Sequence, residues 1–276
     1  DSFLLSPSGD DKELDLLVSG IQPDLGSEYE IKLQNLFLAN NEIVTHIRDD
    51  SKLILQGMSW TFNPSNRIRR TWEIPRGVEE QKASDRFEIS NLDLYLVSAT
   101  AAVPSPMMAD SQTVKIKGFV STSPLDTLNL AISNVDIAPW LGELDDVNGI
   151  RGRIVQTGMA ASQLLSSQPR IGTFGVIEDL GYQSIDSLRV EFLGGWPDLN
   201  KGKDYAGFRV ALLESSANKA TAIETYHIPD QGLDVFFPPS AFSLSLIEPF
   251  VVGSVSELTG KLSLEAATIT GTLNEP

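Results

Sequence analysis

Apolar and polar residues alternate one by one along much of the chain. Leu14, Leu16 and Val18 are separated by Asp15 and Leu17, and Val114, Ile116 and Val120 flank Lys115, Lys117 and Gly118. Leu128, Leu130 and Ile132 flank Asn129 and Ala131; Leu188, Val190 and Phe192 flank Arg189 and Glu191; Phe208, Val210 and Leu212 flank Arg209 and Ala211. Near the end, Phe242, Leu244 and Leu246 flank Ser243 and Ser245, and Leu262 and Leu264 flank Ser263. Successive side chains of an extended strand point to opposite faces, so each run offers one apolar and one polar face. That pattern marks antiparallel sheet with one wet side.

Turn residues punctuate the runs. Asn63-Pro64-Ser65-Asn66, Gly194-Gly195-Trp196-Pro197-Asp198 and Pro229-Asp230-Gln231-Gly232 are breakers, and Pro104-Ser105-Pro106-Met107-Met108 reads as a loop or bent strand. Helix signals are short: Ala138–Leu144, with Pro139 near its start, Met159–Ser166 and Leu246–Val251. A strand–strand–short helix–Gly turn–strand order occurs twice, once over Leu128–Ile154 and once over Leu233–Leu262. Gly152 and Gly260 correspond, an offset of 260 − 152 = 108 residues.

Composition narrows the class. The chain has 276 residues, 41% of them hydrophobic, enough for a large ordered core and against wholesale disorder. No apolar run reaches the length of a membrane-spanning helix. The first residues do not read as a signal peptide, and both ends read as cut from a longer chain. With no Cys there is no disulfide, thiolate metal site or Cys nucleophile. A formal charge of -16, from 37 acids and 21 bases, would repel nucleic acid and anionic headgroups at long range, so neither is an expected partner of the outer face.

Catalytic chemistry finds little footing. The two His, His46 and His227, stand far apart in strand-like runs. No P-loop, GxGxxG or GxSxG occurs; Gly172-Thr173-Phe174-Gly175 is no phosphate cradle, and Asp145-Asp146 lacks calcium-loop spacing. Arg67, Arg69 and Arg70 beside Trp60 and Trp72 offer a headgroup contact or, more simply, a solvated strand face. No enzyme, cofactor or metal site is expected. The positive signal is the apolar face, which can be satisfied in a sandwich, in a barrel, or in an incompletely closed sheet with a greasy groove.

Residues Ile185–Pro276 resemble the repeat of the TamB/AsmA-like translocation and assembly module family of bacterial envelope proteins. The resemblance rests on Ile185-Asp186-Ser187-Leu188-Arg189-Val190, His227-Ile228-Pro229, Asp230-Gln231-Gly232-Leu233, Phe242–Phe250 with its Ile247-Glu248-Pro249-Phe250 end, Leu258-Thr259-Gly260-Lys261-Leu262-Ser263-Leu264 and Ile269-Thr270-Gly271-Thr272-Leu273-Asn274-Glu275-Pro276. A weaker copy covers about Leu125 to Val155. Pro238-Pro239 and the sparse glycines of the N-terminal half depart from a regular repeat.

The resemblance implies an all-β fold: an elongated, curled antiparallel sheet (a β-taco) with an apolar groove and a few short helices. It implies an N-terminal β segment over 1–110 and a repeat-like groove over 111–276. It further implies a periplasmic location with an inner-membrane anchor outside this chain. The function implied is carriage of phospholipid acyl chains, assistance to outer-membrane protein assembly with an Omp85-type barrel, or both. Groove-lining residues would be Val114, Ile116, Leu128, Leu130, Ile132, Leu188, Val190, Phe192, Phe208, Val210, Leu212, Phe242, Leu244, Leu262, Leu264 and Ile269. The rival reading is a cell-surface β-sandwich binding carbohydrate or protein through Trp60, Trp72 and Trp196. A hydrolase on a β scaffold is the third.

Overall fold

The computed structural model describes residues 2–9, 12–23, 26–38, 41–55, 57–72, 85–97, 112–141, 149–182, 185–197, 205–215, 218–227, 232–246 and 258–272. The expected loop at Pro104–Met108, the turn residues Asp198 and Pro229–Gln231, and the segments Ile247–Phe250 and Leu273–Pro276 lie outside them. The fold is all-β, and among the described residues nineteen strands are hydrogen-bonded into one antiparallel sheet. The first ten are β1 (Ser2–Gly9), β2 (Glu13–Gln22), β3 (Ser27–Leu38), β4 (Glu42–Ile47), β5 (Lys52–Leu55), β6 (Met58–Phe62), β7 (Arg67–Trp72), β8 (Asp85–Leu96), β9 (Thr113–Val120) and β10 (Thr127–Asp136). After the one-turn helix α1 (Ala138–Leu141) come β11 (Arg151–Ser162), β12 (Arg170–Tyr182), β13 (Ile185–Trp196), β14 (Tyr205–Ser215), β15 (Asn218–His227), β16 (Gly232–Phe237), β17 (Ser240–Ser243), β18 (Lys261–Leu264) and β19 (Ala267–Thr272). The sandwich alternative required two sheets, whereas these strands belong to one.

Contacts divide the chain into two compact units, Asp1–Ser133 with Ala160–Pro169, and Asn134–Met159 with Arg170–Pro276. In the first, two strand positions are filled by broken strands. β4 and β5 both pair with β3, and β6 and β7 both pair with β8. At the gap, the fully buried Asn66 replaces a strand residue: Ile47 N–H donates to Asn66 Oδ1 and Asn66 Nδ2 donates to the Ile47 carbonyl, each at 2.7 Å. Ser51 does the same for β3, its Oγ accepting from Lys32 N at 3.0 Å. Side chains thus satisfy backbone groups that a continuous strand would have paired.

The second unit repeats the device, since β16 and β17 both pair with β15. It also contains both glycines of the expected internal repeat, Gly152 and Gly260. Ile137 N–H donates to the Gly152 carbonyl, and Leu244 N–H donates to the Gly260 carbonyl, both at 3.0 Å. Each donor follows a strand end, next to α1 in one copy and at the start of a 3₁₀ turn, Leu244–Leu246, in the other. Gly152 and Gly260 both have positive φ, +154° and +120°, which L side chains rarely adopt.

Two expectations change. Met159–Ser162 ends strand β11 rather than starting a helix: the strand runs unbroken from Arg151 to Ser162, with Gly158 and Ala161 buried along it. Leu244 and Leu246 fall in the 3₁₀ turn, so their alternation with Phe242 does not continue as strand.

Candidate functional site

Directly opposed residues of an antiparallel pair lie on the same face of a sheet. In the first unit, register therefore links Val18 to Ile31, Leu33 to Ile47, Leu53 to Trp60, and Trp60 and Phe62 to Leu96 and Leu94. The line continues from Leu94 and Leu92 to Val114 and Ile116, and from these to Ile132 and Leu130, with Leu128 opposite Gly118. All five expected residues of β9 and β10 thus share one apolar face. Trp60 and Phe62 are buried at its centre; Val114, Ile116, Leu128, Leu130 and Ile132 are half-buried.

The opposite face carries ions. Glu28 pairs with Lys52 at 2.6 Å, Lys32 with Asp50 at 2.9 Å and Arg69 with Glu42 at 2.8 Å. Arg86 chelates Asp126 at 2.8 and 2.9 Å and stacks 4.1 Å over Phe119. Its hydrogen bonds hold the Asp126 carboxyl below the usual carboxylate range. The expected Arg67/Arg69/Arg70 cluster is divided by the same alternation. Arg69 meets Glu42, whereas Arg70 emerges on the apolar face, pairs with Asp85 at 3.1 Å and lies 5.4 Å over Trp72. Trp60, only 4% exposed, offers no sugar platform.

In the second unit the apolar line runs from Ile177 to Val190 to Leu212 to Ala220, and from Gly175 to Phe192 to Val210 to Ala222. A parallel line joins Gly194, Phe208, Glu224, Val235 and Ile269. Phe242 opposes Leu262, and Leu264 opposes Ser240. Leu188 and Val190 are buried, whereas Phe208, Val210, Leu262 and Ile269 are 36–46% exposed. Arg189 and Glu191 lie on the reverse face and pair with each other at 2.9 Å.

Aromatic rings lie flat on this floor. A side chain at Gly175 would collide with the Phe192 ring, and one at Gly194 with Phe208; Gly20 and Tyr29 make the same pair in the first unit. A glycine lets the cross-strand ring fold down over it, covering backbone otherwise exposed.

Where β15 passes from β16 to β17, the floor opens into a cavity of about 320 Å³. Val210, Leu212, Ala220, Ala222, Phe237, Phe242, Leu262 and Leu264 line it, with Ser240 and Thr221. Five expected residues, Val210, Leu212, Phe242, Leu262 and Leu264, are brought together here. Leu188, Val190, Phe192, Phe208 and Ile269 share the face without lining the cavity, and Leu244 sits in the 3₁₀ turn beside Gly260. Ala220, Ala222 and Phe237 were not expected. In Lys219-Ala220-Thr221-Ala222-Ile223 the bulkiest apolar residue, Ile223, faces away, so the alternation points to the wrong side.

Nothing among the described residues groups three or more metal-ligating side chains. His46 Nδ1 donates to the Asn66 carbonyl at 2.7 Å, which ties it to the strand break; the His227 side chain lies outside the described set. No described helix is long and apolar enough to cross a membrane. No family model, curated protein or solved structure matches the chain.

Proposed function

We propose that this chain is a non-catalytic lipid-binding segment whose apolar sheet face receives phospholipid acyl chains. The observation that carries this reading is the register. It places apolar side chains on one face strand after strand in each unit, leaves several of them more than a third exposed, and opens that face into a hydrocarbon-lined cavity. Moving an acyl chain from water onto such a surface is favourable by about 0.8 kcal/mol per buried CH₂. Sliding an acyl chain along an apolar floor asks for no chemical step.

The resemblance of Ile185–Pro276 to TamB/AsmA-like repeats extends the proposal. On that reading the segment works in the periplasm, anchored to the inner membrane by a part of the protein outside this chain, and feeds lipid or nascent barrel protein towards an Omp85-type partner. The test is a photo-crosslinking amino acid placed at Val210 or, on the reverse face, at Arg209. Lipid adducts in cells are expected at Val210 and not at Arg209. Val190, also expected to line the groove, is only 8% exposed and would label weakly. Equal labelling at Val210 and Arg209 would remove the proposal.

A further inference from the structure

The cavity of the second unit is more selective than the face around it. We propose that it holds a single unbranched hydrocarbon chain, and that Ala220 and Ala222 set the length it can hold; this rests on the lipid-binding function above. The space exists because β15 places two methyl side chains opposite Leu212 and Val210 of β14. Larger residues there would fill it. Its volume is about 320 Å³, and a water-sized group occupies about 30 Å³, so about ten methylene-sized groups fit. That accommodates part of one acyl chain.

The chemistry of the wall agrees. Apart from Thr221 and Ser240, every lining residue is an aliphatic or phenyl side chain. The Ser240 hydroxyl is already engaged, donating to the Pro238 carbonyl at 2.7 Å and accepting from Thr221 N at 3.4 Å. Thr221 belongs to the opposite face, across from Ala211. A ligand with a polar or charged group in the cavity would find no partner and lose its hydration. The headgroup must stay outside.

The experiment uses the whole chain and saturated n-alkanoates of increasing length, read by displacement of anilinonaphthalene sulfonate and by isothermal calorimetry. Affinity is expected to rise about fourfold per methylene until the cavity is full, then to level off near about ten carbons. Ala222→Leu should move the plateau about three carbons shorter, and Val210→Ala about two carbons longer. Opposite shifts keep the test meaningful if one variant folds poorly, which far-UV circular dichroism reveals. Wild-type protein that binds no alkanoate overturns the function itself. Affinity that climbs without a plateau, or a plateau that neither variant moves, overturns the length gauge alone.

Discussion

At the scale of single residues, the fold depends on side chains that stand in for backbone or make room for a neighbour. Gly20, Gly175 and Gly194 matter because a ring from the next strand lies where their Cβ would be. The sequence displays the glycines and the aromatics but not which pairs meet, because that depends on register between strands up to 17 residues apart. The ion pair of Arg86 with Asp126 was equally hidden, spanning 40 residues. Its pH dependence follows from sign. A carboxyl held below its unfolded value, about 3.9 for Asp, stabilises the fold above that value and loses the contribution as pH falls through the lower folded one. Arg86 stays charged throughout. Urea midpoints measured against pH should therefore show Asp126→Asn weaker than wild type near neutrality and converging with it in acid. A constant gap down to the lowest pH would contradict the assignment.

Elements were legible in proportion to the contrast of their alternation. β2, β9, β10, β13 and β14 stand out in the sequence because bulky apolar residues alternate with polar or small ones. β3 has the same signal in Tyr29, Ile31 and Leu33 between Glu28, Glu30 and Lys32, and its ladder uses that face. β15 was obscured because alanines line the working face and Ile223 the other. The broken strands were least legible. Asn63-Pro64-Ser65-Asn66 reads as a turn, which it is, yet Asn66 also completes the ladder for Ile47. Asn66→Ala strips three side-chain hydrogen bonds in a site with no water access and orphans both backbone groups of Ile47. A loss of roughly 2–4 kcal/mol is expected, measured by urea unfolding. The paired bonds of Ile137 with Gly152 and Leu244 with Gly260 give the weak internal repeat a structural counterpart that residue identities alone express faintly.

At the scale of the molecule, the acidic composition and the alternation describe one arrangement from two sides. On the face turned away from the apolar one, Lys32, Lys52, Arg69 and Arg189 each meet a carboxylate, whereas Arg70 and Asp85 pair on the apolar side. The all-β class could be read from the sequence because it depends on periodicity alone. The cavity could not, because it arises where β15 exchanges one partner for another and small side chains coincide with the gap. Its walls hold no group that titrates between pH 5 and 9 and no ion. Occupancy should therefore be indifferent to buffer ionic strength, and the heat of filling should become more exothermic on warming, the negative heat-capacity change of hydrocarbon leaving water. Titrations at several temperatures and salt concentrations read both properties, and a strong salt dependence would place the ligand on the charged face instead.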